Sequence, residues 1–333
     1  MSDDPWKDLA PPRDAGLLSG RRVESSGPLA FYWARGLDNH CLLVIRHAPT
    51  SSPKGRLPHM RGLEVTLSDG EESTTRMLVL RLVDNSHRDI FQRLCLDLVT
   101  AAERATTEAE AMSITLGRTW RWHHLLRGGG DGRLDPEEQK GLIGELLVFE
   151  RLLLPELSPS DAVASWHGPV GAPKDFEVGR LCIEAKARRG AATPYVAISS
   201  EHQLDVSGVD LLFLHVAELD QELAPEKAGQ TLTQIAERCR GAIADRDRSA
   251  LEPFEELLEA TGFRWEDDYS DFRWVEGHHQ LFRVGDHFPA LSASSCPVGV
   301  SYVRYSLSLI ACQPHRCGVA DLQRALRGNG NAD

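Results

Sequence analysis

Between positions 175 and 187 the chain reads Asp-Phe-Glu-Val-Gly-Arg-Leu-Cys-Ile-Glu-Ala-Lys-Ala, and this stretch limits the possible folds more than any other. Side chains alternate faces along a strand, so Glu184 and Lys186 project to one side while Ile183, Ala185 and Ala187 pack on the other. Val178-Gly179-Arg180 can turn the chain back, making a hairpin that returns Asp175 towards Glu184. Two carboxylates and one ammonium then converge at a sheet edge. Taken alone, a Glu-x-Lys pair on a strand is more often a solvated face with cross-strand pairing; its surroundings give it weight.

Upstream, Asp135-Pro136-Glu137-Glu138 combines an N-cap, a proline in the first turn and acidic residues beside the helix N-terminus. An apolar helix follows through Leu142, Ile143, Leu146, Leu147, Phe149 and Leu153, and Pro155 ends it. Glu145 falls among these apolar positions, where an unpaired charge is costly. The small Gly141 and Gly144 let the helix approach a sheet closely. Downstream, the pattern predicts strands over 163–167, 175–178, 180–187 and 194–199, a short helix over 199–205, a buried strand over 209–216 and a helix over 226–246. Such alternation implies a layered α/β core.

The flanks are read more coarsely. Residues 1–28 are rich in Pro, Gly, Ser and charge and form a loosely ordered lead-in. Residues 29–130 form a small domain in which segments 31–47, 61–68 and 75–84 make an antiparallel sheet, followed by a helix towards residue 107 and another over 111–127. The Gly-Gly-Gly-Asp-Gly run at 128–132 marks a domain boundary. Residues 131–248 then hold the core, and 249–333 a C-terminal α/β extension with a helix over 252–261, strands near 280–284 and 299–310, and a terminal helix from about 318.

The carboxylate pair suits metal-assisted hydrolysis. Mg²⁺ prefers oxygen ligands, keeps several waters and takes one or two protein carboxylates plus substrate phosphate oxygens. Asp175 and Glu184 supply such ligands, and Lys186 can position a nucleophile or offset charge in the transition state. Lys174, Arg180, Lys186, Arg188 and Arg189 outnumber Asp175, Glu177 and Glu184 locally, which makes Arg188 and Arg189 candidate phosphate contacts, with Lys174 beside them. That local balance matters because the whole chain is acidic, with 49 Asp and Glu against 37 Lys and Arg, a net charge of −12. Bulk positive charge therefore cannot drive non-specific coating of DNA. Seven scattered cysteines do not make a disulfide framework, and a Cys312/Cys317 zinc site lacks paired spacing. No long apolar run or secretory leader is evident, so the expected location is cytoplasmic, without a membrane.

Asp175 and Glu184-Ala185-Lys186 resemble the PD-(D/E)XK nuclease superfamily, although Lys174 stands where the motif proline is expected and Pro173 lies one place earlier. The resemblance spans residues 136–216. It implies a restriction-endonuclease-like core, a central mixed sheet flanked by helices, with Mg²⁺ or Mn²⁺ as cofactor. It also brings in Glu145, as the helix glutamate that many members contribute to the metal, and Gln203, as a polar residue after the second core strand that meets nucleic acid. The chain looks closest to bacterial PD-(D/E)XK motif proteins found near DNA-modification and phage-defence genes. On that resemblance the expected function is a DNA endonuclease of a restriction or anti-phage system, with partner proteins. RNA cleavage shares the same site chemistry, homodimerisation stays open, and a binding or scaffold subunit with weak or no cleavage is the alternative.

Overall fold

The computed structural model describes residues 4–12, 19–53, 57, 62–69, 75–126, 133–221, 229–297, 300 and 303–329. The chain separates into two units, Met1–Gly132 and Arg133–Asp333. The glycine run at 128–132 lies outside the described residues.

The first unit holds strands β1 (Ser19–Arg22), β2 (Ala30–Arg35), β3 (Cys41–His47), β4 (Leu63–Asp69) and β5 (Arg76–Leu82), then helices α1 (Arg88–Ala102) and α2 (Glu108–Leu126). The strands form one antiparallel sheet in the order β1-β2-β3-β5-β4. Period-two alternation sends Phe31, Trp33, Leu43, Ile45, Leu78 and Leu80 to one face, where they meet Phe91, Leu94 and Leu98 of α1. Within the lead-in, the described residues 4–12 and 19–28 are more ordered than their composition suggests. Trp6 is fully buried, donates from Nε1 to the Leu42 carbonyl at 2.9 Å and stacks on Phe91, and Ser19–Arg22 is an edge strand. A single large aromatic brings enough apolar area to hold the residues around it against the sheet and α1.

The second unit holds α3 (Pro136–Val148), α4 (Pro159–Ala164), β6 (Phe176–Val178), β7 (Leu181–Arg188), β8 (Tyr195–Ile198), β9 (Leu211–Gln221), α5 (Leu232–Ala244), α6 (Leu251–Ala260), β10 (Trp274–Val284), β11 (Tyr305–Ser308), α7 (Leu309–Cys312), β12 (Arg316–Cys317) and α8 (Val319–Asn329). Its main sheet runs β12-β10-β9-β7-β6 and is mixed: β7 and β9 are parallel and the other pairs antiparallel. Ile183, Ala185, Phe213 and Ala217 face a core shared with α3, α5, α6 and α8. Cys182, Leu212, Leu214 and Val216 face a second core with β8, β11 and α7. Burial on both faces explains why 209–216 reads as a nearly continuous apolar run.

Four expectations change. Residues 159–164 are helical rather than extended, because Ser158 caps the Asp161 N–H and Pro159 opens the helix, leaving only an isolated bridge between Trp166 and Phe176 for the expected strand at 163–167. Residues 201–204 form a turn rather than a helix, since the side chain of Gln203 occupies the Ser199 N–H and Lys174 occupies the His202 carbonyl. The strand expected over 299–310 is confined to Tyr305–Ser308, and residues 298–299 and 301–302 lie outside the described residues. Most important, the segment expected as a C-terminal extension from 249 belongs to the core sheet. β10 lies between β9 and β12, because β9 is too apolar to stand as an edge.

That insertion buries a polar chain. His215 on β9 is 4% exposed, and its Nε2 lies 2.9 Å from His279 Nδ1 on β10. His279 Nε2 lies 2.6 Å from Glu276, which pairs with Arg151. Burial, then the neighbouring His279, lowers the pKa of His215 to about 3. The unfolded chain protonates His215 near its ordinary 6.5, so stability is complete above that pH and falls as pH drops towards 3, by about 1.4 kcal/mol per pH unit. In urea titrations from pH 7 to 4, His215→Gln is expected to flatten this acid loss; an unchanged slope would show that His215 is not held neutral.

Candidate active site

The hairpin forms as the sequence predicts. Gly179 takes φ 56°, a left-handed turn conformation that glycine adopts without strain. The register pairs Phe176 with Ile183 and Val178 with Leu181, which sets Asp175 one step beyond, opposite Glu184. Asp175 is fixed by three hydrogen bonds. Its Oδ2 accepts from the Ala185 N–H at 2.7 Å, and its carbonyl accepts from the N–H groups of His167 and Gly168 at 2.8 and 3.0 Å. Glu184 is 0% exposed. Lys186 Nζ comes within 2.6 Å of its Oε1, but without the alignment of a hydrogen bond, and Oε2 has no hydrogen-bond partner.

Glu145 arrives from the helix side. Gly144 sits against β7 so closely that a Cβ there would lie 3.2 Å from that of Ala187. Gly141 is exposed and meets nothing, so only one of the two glycines serves the close approach. After Val148 the helix widens into a π-turn at Phe149–Leu153, closed by the Leu154 N–H on the Phe149 carbonyl. Glu145 Oε2 accepts from the indole Nε1 of Trp166 at 2.7 Å. A Cβ on Gly168 would lie 2.9 Å from that same oxygen and 3.0 Å from Asp175 Oδ1, so the two carboxylates converge on Gly168.

Three carboxylates around one ammonium leave the site short of positive charge. Burial first, then repulsion from Asp175, pushes Glu184 up to about 8 despite Lys186. Burial and Asp175 raise Glu145 well above the usual carboxylate range, against the Trp166 hydrogen bond. Burial also raises Asp175, opposed by Lys186 and the Ala185 N–H. For Lys186, burial favours the neutral amine, but Glu184, Asp175 and Glu145 outweigh it and keep the ammonium. Perturbed groups of this kind cluster where chemistry is done.

The remaining expected residues divide. Gln203 Oε1 lies 3.4 Å from Lys186 Nζ while accepting from Ser199, so Gln203 joins the site from a turn. Lys174 is buried and donates to the His202 carbonyl at 3.1 Å, which anchors that turn rather than offering a free phosphate contact. Arg188, expected at phosphate, is likewise turned inward. It is 7% exposed, pairs with its cross-strand neighbour Glu218 at 2.6 Å, and donates to the carbonyls of Gly190, Ala192 and Thr193. Its position two residues beyond Lys186 continues the polar face of β7 into the protein, not into solvent. Arg189 is exposed and has no side-chain partner among the described residues. Sequence reasoning missed Trp166, Gly168 and Tyr305. Tyr305 accepts from the Leu291 N–H at 3.1 Å and feels the charges of Lys186 and Glu184. Only Trp166-His167-Gly168-Pro169 carried a signal, a Gly-Pro turn beside an indole that needs an acceptor once buried.

Residues 2–310 match the model of a family described as "Putative PD-(D/E)XK family member, (DUF4420)". The chain belongs to this PD-(D/E)XK family. Searches of curated proteins and of solved structures gave no match. The mixed sheet with helices packed on it is the restriction-endonuclease-like arrangement of the PD-(D/E)XK proteins. No helix among the described residues is long and apolar enough to cross a membrane. Likewise, no three His, Cys, Asp or Glu side chains among them gather closely enough to form a ready-made metal cage.

Glu184 gives a direct stability test. A carboxyl at about 8 in the fold against an ordinary 4.5 stabilises the fold fully below pH 4.5, and this contribution is lost as pH rises through 8. In metal-free protein, Glu184→Gln is expected to gain stability over wild type as pH rises from 5 to 8, by roughly 1.4 kcal/mol per pH unit. Urea denaturation at the two pH values measures it, and a difference that does not grow with pH contradicts a buried, raised Glu184.

Proposed function

We propose that this protein is a divalent-metal-dependent nuclease that hydrolyses phosphodiester bonds, with DNA as its substrate. The carrying observation is that Asp175, Glu184 and Lys186 converge on one end of a β-hairpin, with Glu145 delivered beside Asp175 from α3. Family membership supports the same chemistry at the level of a nuclease fold.

The donors fit Mg²⁺ or Mn²⁺. Both Glu184 oxygens are buried without hydrogen-bond partners, and Asp175 and Glu145 stand close by with raised pKa values. Two carboxylates suffice for a hard cation that retains several waters, so a complete protein cage is not required. Asp175 and Glu184 would hold the ion, with Glu145 as the further oxygen donor. When bound, such an ion supplies charge neutralisation at phosphate and a more acidic water. The chain's own groups do the rest. Lys186 keeps its ammonium beside Glu184 and offers a fixed positive charge to a phosphate oxygen, and Gln203 holds the lysine from the other side. Arg189, at the end of β7, presents a guanidinium that is unpaired among the described residues. The acidic remainder of the chain disfavours non-specific binding, which supports target choice by partner proteins, as in a restriction or anti-phage system.

Cleavage of single- and double-stranded DNA by purified protein with Mg²⁺ or Mn²⁺ tests the reading. Asp175→Asn, Glu184→Ala and Lys186→Ala are each expected to reduce the rate about 10²–10³-fold, the loss typical of transition-state electrostatics. Residual cleavage equal in all four proteins would assign it to a contaminant. Metal binding without cleavage would favour a binding or scaffold subunit, and RNA in place of DNA would reassign the substrate.

The two arginines separate in a second experiment. Arg189→Ala should lower the slope of log binding constant against log salt by about 0.7–0.9 and leave folding intact. Arg188→Ala should instead destabilise the fold by about 1–3 kcal/mol, because the half-buried Glu218 loses its ion pair and the carbonyls of Gly190, Ala192 and Thr193 lose their donor. Equal effects of both substitutions on the salt slope would contradict this division.

A further inference from the structure

Trp166 lies outside every motif that led to the site, yet its indole is the hydrogen-bond donor that Glu145 meets. The ring is 1% exposed and wedged among Phe149, Phe176 and Phe254, with centroid separations of 6.0, 6.3 and 5.9 Å. Three aromatic neighbours leave it no room to rotate, so its N–H points in one direction. Along that direction lies Glu145 Oε2 at 2.7 Å, at the short end of the N–H···O range. The next two residues act on Asp175. His167 and Gly168 donate to its carbonyl, and the absence of a side chain on Gly168 leaves the space into which Glu145 Oε2 and Asp175 Oδ1 both project.

We infer that Trp166 is a positioning residue that acts through Glu145. Its indole N–H holds the carboxylate of the α3 glutamate in place against the repulsion of Asp175, while Gly168 sets how closely the two carboxylates approach. The consequence for the site rests on the metal-dependent nuclease reading, since an oriented Glu145 matters most as a donor to the cation. The physical reason is general. A carboxyl group brought near two others, in a pocket with a single ammonium, swings away unless a fixed donor holds it. Partners behind a metal-binding side chain typically account for about 10–100-fold in metal affinity.

Two measurements on the full chain test the inference. With ¹⁵N-labelled tryptophan, the indole N–H resonance that disappears in Trp166→Phe is expected at low field in wild type and to move up-field in Glu145→Gln. Calorimetry with Mn²⁺ is expected to show weakening of tenfold or more for Trp166→Phe, for Glu145→Gln and for Gly168→Ala. The double variant Trp166→Phe/Glu145→Gln should be no weaker than Glu145→Gln alone, because the indole acts only through the carboxylate. Gly168→Ala leaves the aromatic cluster intact and serves if Trp166→Phe does not fold; the indole resonance is then assigned by through-bond correlation in wild type. An indole resonance unmoved by Glu145→Gln, or losses that add in the double variant, overturns the inference. Wild-type protein that takes up no Mn²⁺, while its indole resonance still follows Glu145→Gln, overturns the metal reading and upholds the positioning role.

Discussion

Glu184 is a carboxylate without solvent, set on a strand with apolar layers on both sides and offered one ammonium 2.6 Å away. Removing a carboxylate from water costs several kcal/mol even after relaxation, and a single poorly aligned amine does not offset it. The surroundings respond to that deficit. Asp175 is pinned by backbone N–H groups from two directions, Lys186 keeps its proton, and Gln203 and Lys174 fix the turn that walls the far side. A site arranged this way is poised for added positive charge, from a cation or from residues near a bound phosphate.

The scaffold explains why the arrangement persists. β7 pairs with the parallel strand β9 along its whole length and with β6 over Leu181–Ile183, so its even-numbered side chains are held in register. The same strand carries Glu184, Lys186 and Arg188 on one face. They meet different fates because their neighbours differ. Glu184 lies opposite Asp175, one step past the end of β6, and Lys186 beyond it meets Glu184 and Gln203, whereas Arg188 meets Glu218, opposite it on β9, where its charge is neutralised within the protein. Strand pleat sets the direction of a side chain, and the groups that the fold brings opposite it decide whether it faces the site or is neutralised within the protein.

Local pattern made the site legible and distance hid the rest. The hairpin, its Gly179 turn and the capped α3 helix arise from interactions within about fifteen residues, so Asp175, Glu184 and Lys186 stand out from order and spacing, while Glu145 enters through the resemblance to the PD-(D/E)XK superfamily. The polar turn at 201–204 was read as a helix because composition cannot show that Gln203 and Lys174 take backbone partners away from one. The chain after residue 249 was read as an extension for a related reason. A strand's place in a sheet depends on which edge remains unpaired, and β10 covers one that forms more than fifty residues earlier.

By itself, the sequence determined the chemistry at hand: two carboxylates and an amine on a hairpin, a glutamate on an approaching helix, and an acidic chain around them. Only the tertiary structure decided which basic groups face outward, since exposure depends on partners distant in sequence. It turned Arg188 and Lys174 inward and left Arg189 unpaired among the described residues. It also placed Trp166 behind Glu145, twenty-one residues apart, because an indole buried among three phenylalanines must direct its N–H to whichever acceptor the packing brings near.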